Sequence, residues 1–158
     1  MKLPARSVTN ISSILTAIIS LAIAVFIPAA HFLVGYQYMV GITNTEMAFA
    51  ARNIEEIVIK NPKSWQFEEI RIQEILERRL DYTDLDNRII KDLQGNVITE
   101  IRVPLTRPTL TFSQSIYDSG IEVASIVVER SIVSLLTRTA FIGACSTLLG
   151  IMIFLVFY

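Results

Sequence analysis

Two stretches of this chain carry no formal charge: residues 7–45, 39 in a row, and residues 139–158, 20 in a row. A hydrocarbon core ~30 Å thick is crossed by about 20 apolar residues in a helix, and residues 11–34 and 139–158 each supply that length. All 29 formal charges therefore fall in the other 99 positions, the density of an ordinary soluble surface. The chain reads as a soluble domain held between two membrane segments. This excludes a plain soluble enzyme, a disordered chain and a multi-span transporter. A net charge of -1 offers no basic face to a phosphate backbone, so no nucleic-acid partner is expected.

The first segment is read as an uncleaved anchor. Lys2 and Arg6 resemble the positive start of a signal peptide, and Ala22-Ile23-Ala24 resembles a cleavage site, but the apolar run continues well beyond the usual 7–15 residues. The same two basic residues favour a cytoplasmic N-terminus. The 46–138 segment holds 12 basic and 15 acidic residues, and it is too long for its charge to oppose export. The expected layout is a tail over 1–10, a first span over 11–35, an exported domain over 36–138 and a second span over 139–158, with both termini cytoplasmic. The second span ends flush with the chain at Tyr158, which is expected of either a truncated receptor or a small accessory protein. The single cysteine, Cys145, lies in that span as a small packing residue and precludes an intrachain disulfide.

Residues 36–60 continue the first span at helical period. Val40, Met47 and Ile54 are seven apart, and Thr43, Ala50 and Ile57 lie three after them. This a/d pattern reads as a seam between two copies of the chain, and a helix packed on its own domain has the same signature. Asn61-Pro62 ends the helix. A second, amphipathic helix is expected over 67–80, capped by Ser64, with Ile72, Ile75, Leu76 and Arg79 on one face and Trp65 as a core anchor. Residues 81–87 hold three carboxylates but lack the glycine and distal Glu of a calcium loop, so they read as a solvated loop and no metal site is assigned.

Strand signals follow. Residues 88–91 and 97–103 flank a Gly95-Asn96 turn, and residues 109–117 and 121–128 flank Asp118-Ser119-Gly120, which makes two hairpins. From Arg130 the pattern reads as helix leading into the second span. The expected fold is α+β: a small antiparallel sheet with covering helices, between two transmembrane helices.

The exported segment has no catalytic constellation. Its lack of histidine removes a triad or zinc site, since the one histidine, His31, lies in the first span, and Gly95 and Gly120 stand alone without forming a phosphate loop. No catalytic residue and no cofactor is assigned. Arg102, Arg107 and Tyr117 are candidates for holding a small carboxylate ligand between sheet and helices, against the alternative of ordinary surface positions. Within the spans, Ser13, Ala17, Ser20 and Ala24 form a small-residue stripe, as do Ala140/Ala144, Gly143/Thr147 and Ser146/Gly150. With the heptad pattern they favour a homodimeric four-helix bundle in the bilayer.

Three stretches carry a family resemblance: Asn61-Pro62-Lys63-Ser64-Trp65; Asp92-Leu93-Gln94-Gly95-Asn96-Val97-Ile98; and residues 115–128, SIYDSGIEVASIVV. The chain resembles the N-terminal sensory region of bacterial inner-membrane receptors, in which a periplasmic PAS-like (PDC-type) domain lies between two transmembrane helices. In that family the region precedes the catalytic part of a sensor histidine kinase or a diguanylate cyclase. The resemblance implies a PAS-like fold and a signal-transducing, non-enzymatic role. It also implies a place in the bacterial inner membrane, where the sensor would be open to a small periplasmic ligand. A complete small membrane protein acting as an accessory subunit is the other reading, and a membrane-anchored periplasmic enzyme is a third that the missing constellation disfavours. A reading frame that continues past Tyr158 into an output domain separates the first from the second.

Overall fold

A computed structural model describes residues 5–78 and 85–157. Helix α1 spans Ala5–Lys60 and contains Pro28. A 3-10 turn at Trp65–Phe67 leads into α2, Glu69–Glu77. Four strands follow: β1 Asp86–Asp92, β2 Val97–Ile101, β3 Thr109–Asp118 and β4 Ile121–Ser131. Helix α3 closes the chain over Val133–Phe157. The α+β class is therefore as expected, with an antiparallel four-stranded sheet. Arg79 and residues 81–84 of the acidic loop lie outside the described residues, as do Lys2 and the side chain of Arg6.

The chain divides into two compact units, Met1–Tyr36 with Leu135–Tyr158, and Gln37–Ser134. In the first, α1 and α3 pack antiparallel. Gly35 faces Leu135, His31 bonds Thr139, Pro28 faces Gly143 and Ser20 faces Gly150. A Cβ on Gly150 would stand 2.8 Å from the Ser20 carbonyl oxygen, so that approach requires glycine. Ser20, Ser146 and Gly150 are buried. The small residues thus serve contact between the two helices of one chain, which is the close approach such stripes permit. Both helices are long and apolar enough to cross a membrane.

In the second unit the sheet order is β2-β1-β4-β3. Both hairpins are local, and their inner strands β1 and β4 pair from Asp86↔Arg130 to Asp92↔Ala124. Ser119 (φ 51°) and Gly120 (φ 87°) are both left-handed, the geometry of a two-residue type I′ turn. The β1–β2 turn is held by the Asp92 carboxylate, which accepts from the backbone N–H of Gln94 (2.9 Å) and Asn96 (2.7 Å) and from Asn96 Nδ2 (2.9 Å).

One sheet face packs on α1 and α2. Its core joins Met47, Ala50, Ile54, Ile57 and Val58 of α1 with Trp65, Ile72, Leu76, Ile90, Ile116, Ala124, Ile126 and Val128. This corrects the seam. Thr43, Met47, Ala50, Ile54 and Ile57 are buried by their own sheet, with Val40 half-buried beside them. The stripe is apolar because it faces the core of its own unit, so it is not open to a second copy. Boundaries differ as well, and β1 begins at Asp86, inside the stretch read as a solvated loop, because Asp86 pairs with Arg130 and is buried. The alternation Ala124, Ile126, Val128, Arg130 keeps β4 extended to Ser131, paired with β3 through Leu110↔Arg130 and Thr109↔Ser131, so helix begins only at Val133. Ser64 makes no side-chain cap; α2 starts after a 3-10 turn and buries Ile72 and Leu76.

Candidate functional site

At one end of this core lie side chains that a hydrophobic interior does not need. Strand period two puts Asp86, Arg88 and Ile90 of β1 and Val128 and Arg130 of β4 on the face that meets the helices. Asp86 is 1% exposed, Arg88 3% and Arg130 1%. Thr43 and Glu46, one turn apart on α1, are buried against them. Two guanidinium groups and two carboxylates are thus withdrawn from water together, at a desolvation penalty of several kcal/mol per ion that only close pairing offsets.

Arg88 is fully engaged. Its Nη2 donates to Glu46 Oε2 at 2.6 Å and to Asp86 Oδ2 at 3.0 Å. Its Nε donates to both Asp86 oxygens at 3.2 and 3.3 Å. Its Nη1 donates to the carbonyls of Leu76 and Arg78, each at 3.0 Å. These carbonyls close α2, whose C-terminal end has no donors of its own and favours a cation. One side chain therefore joins α1, β1 and the end of α2.

Arg130 is held differently. Its Nη1 donates to Thr43 Oγ1 at 3.0 Å, and that hydroxyl donates to the Met39 carbonyl at 2.8 Å. Its Nε is buried without a partner. The cluster binds β4 to α1 through this arginine and hydroxyl. Among the described residues, its contacts are ion pairs and hydrogen bonds that join α1, β1, β4 and the end of α2.

The residues assigned from sequence do not form one site. Arg102 is exposed on the β2–β3 connection and pairs with Glu100 at 2.9 Å. Arg107 is exposed on the same connection, which is tied to the sheet by Val103 N–H to Asn87 Oδ1 (2.7 Å) and Ser131 Oγ to the Thr106 carbonyl (2.6 Å). Tyr117 is 42% exposed at the far end of β3. Its backbone N–H donates to Glu55 Oε1 at 3.0 Å. Eight residues of extended chain separate Thr109 from Tyr117, about 26 Å at ~3.3 Å per residue, so no small carboxylate touches both Arg107 and Tyr117. The buried residues that sequence reading missed had one signal. Arg88 and Arg130 each continue an alternation of buried positions, where a charge is out of place.

Comparison with known proteins adds no relative: no family model, no curated protein and no solved structure matches the chain.

Proposed function

We propose that this chain is the sensory and transmembrane module of a bacterial inner-membrane receptor. Its α+β domain is the PAS-like sensor, exported to the periplasm, with both termini in the cytoplasm. It passes a periplasmic cue to an output domain such as a histidine kinase or a diguanylate cyclase, and it has no catalytic activity of its own.

One observation carries this reading: the domain core and both apolar helices are continuous in the chain. Helix α1 has no break between its apolar segment and Thr43, Glu46 and Met47 in the core. Only Ile132 separates β4, which carries Arg130, from α3. A cue that changed how β4 packs on α1 would act on the two elements that continue as apolar helices. Such a switch requires two packings of similar free energy that the cue favours unequally.

The test is an in-frame fusion of the chain to a dimeric diguanylate cyclase output domain. Thr43→Val, which keeps shape and removes the acceptor for Arg130, should change output severalfold at constant membrane level. Output that is the same for wild type, Thr43→Val and a variant lacking residues 62–131 would refute transmission from this domain.

A further inference from the structure

In the unit formed by the two apolar helices, a groove of about 400 Å³ is lined by His31, Thr137, Arg138, Phe141 and Ile142. We propose that it binds the headgroup of an anionic phospholipid, with the phosphodiester on Arg138 and an acyl chain along Phe141 and Ile142.

The charge pattern sets the depth. Arg138 is the last charged residue before the uncharged run that begins at Thr139. Residues 139–157 of α3 rise about 28 Å at ~1.5 Å per residue, close to one hydrocarbon thickness. His31 Nδ1 lies 3.0 Å from Thr139 Oγ1, which puts α1 at the same level as the start of that run. The groove therefore opens where hydrocarbon meets headgroup.

Its chemistry matches that level. Arg138 is exposed and makes no hydrogen bond or ion pair among the described residues. A guanidinium there presents a planar fork of donors suited to two phosphate oxygens. His31 spends one ring nitrogen on Thr139 and keeps Nε2 for a further bond. Phe141 is 71% exposed beside the charge. A free inorganic anion has no use for that apolar wall, whereas a lipid places a phosphate and a hydrocarbon chain side by side. The surrounding positions, residues 139–142, contain no carboxylate to repel a phosphate.

This inference rests on both helices spanning the bilayer, not on the signalling role. It is tested on the full chain in detergent, by native mass spectrometry with added phosphatidylglycerol or phosphatidylcholine. Wild type should retain one phosphatidylglycerol in preference to phosphatidylcholine by about fivefold, the weight of one basic residue at an anionic surface. Arg138→Gln should abolish the preference, Arg138→Lys should restore most of it, and Phe141→Ala should weaken retention of both lipids. Arg52→Gln, an exposed arginine outside this unit, should change nothing. Equal retention of the two lipids by wild type, an unchanged preference in Arg138→Gln, or displacement of the lipid by millimolar inorganic phosphate would each overturn the site. Extraction of the chain from membranes by carbonate would instead overturn the spanning reading on which it depends.

Discussion

Arg88 and Arg130 share a sheet face and nearly equal burial, yet their removal should have different consequences. Arg88 holds two buried carboxylates and two helix-terminal carbonyls, so Arg88→Ala leaves buried acceptors without their counter-charge. The expected cost is about 3–5 kcal/mol. Arg130 has one hydroxyl bond and a buried, unpaired Nε, and a methionine of similar length forgoes little. Arg130→Met should cost less than ~1.5 kcal/mol, or stabilise. Denaturation of the full chain in detergent, monitored by Trp65 fluorescence, measures both. Asp92 supplies a pH dependence. Its Asn96 side-chain bond, with backbone bonds from Asn96, Gln94 and Gly95, holds its carboxyl below the ordinary 3.8. A lowered folded value means that the stabilisation is complete above the unfolded value and is lost as pH falls through the folded one. The Asn96 amide resonance should therefore titrate with a midpoint below 3.8, and Asp92→Asn should remove that titration. At the other turn, Gly120 has φ 87° and open space around it, so Gly120→Ala costs backbone strain alone, about 1 kcal/mol.

At the scale of elements, α1 presents one stripe at heptad spacing, and sequence periodicity cannot say what covers it. A seam between chains and a stripe on one's own sheet both place apolar residues three and four apart. The structure turns Thr43, Met47, Ala50, Ile54 and Ile57 inward, while Phe49 remains 59% exposed. Ile54→Ala should therefore lower stability by about 2–5 kcal/mol, with a melting temperature independent of protein concentration. A concentration-dependent loss would show that a second chain covers Ile54. What was legible in the sequence was local: the Pro62 break, both hairpins and their turns, and the apolar helices. What was not legible was relational. The pairing of β1 with β4 joins residues about 40 apart, and no turn signal encodes it. The buried charges were missed because Arg130 stands beside Ile132 and Val133, whose apolar run suggested helix, although the cross-strand ladder continues to Ser131. Arg102, Arg107 and Tyr117 were joined by side-chain chemistry alone, and β3 holds the two ends of that set apart.

For the whole molecule, the spanning reading makes a topological prediction. Ser119, at the β3–β4 turn, should lie outside the membrane with both termini inside. In a Cys145→Ser background, a cysteine at Ser119 should react with an impermeant maleimide in intact cells or spheroplasts. Labelling that requires lysis would place the domain in the cytoplasm. The exposed β2–β3 connection offers a second check, since a cysteine at Arg107 should label from the same side.

The sheet order β2-β1-β4-β3 also governs when the fold can be completed. Helix α1 carries six of the fourteen buried residues of the core, but the strand that closes the sheet over it, β4, is the last one made. Seventy-four residues separate Ile57 from Ser131, about 4–15 s of synthesis at roughly 5–20 residues per second. During that interval Ile54 and Ile57 have no β4 to lie against, and β1 has only β2 beside it. A nascent chain halted before β4 therefore presents an apolar helix face and an open strand edge, the two features that recruit chaperones or aggregate. Completion of the sheet is in this way tied to one event, the emergence of residues 121–131.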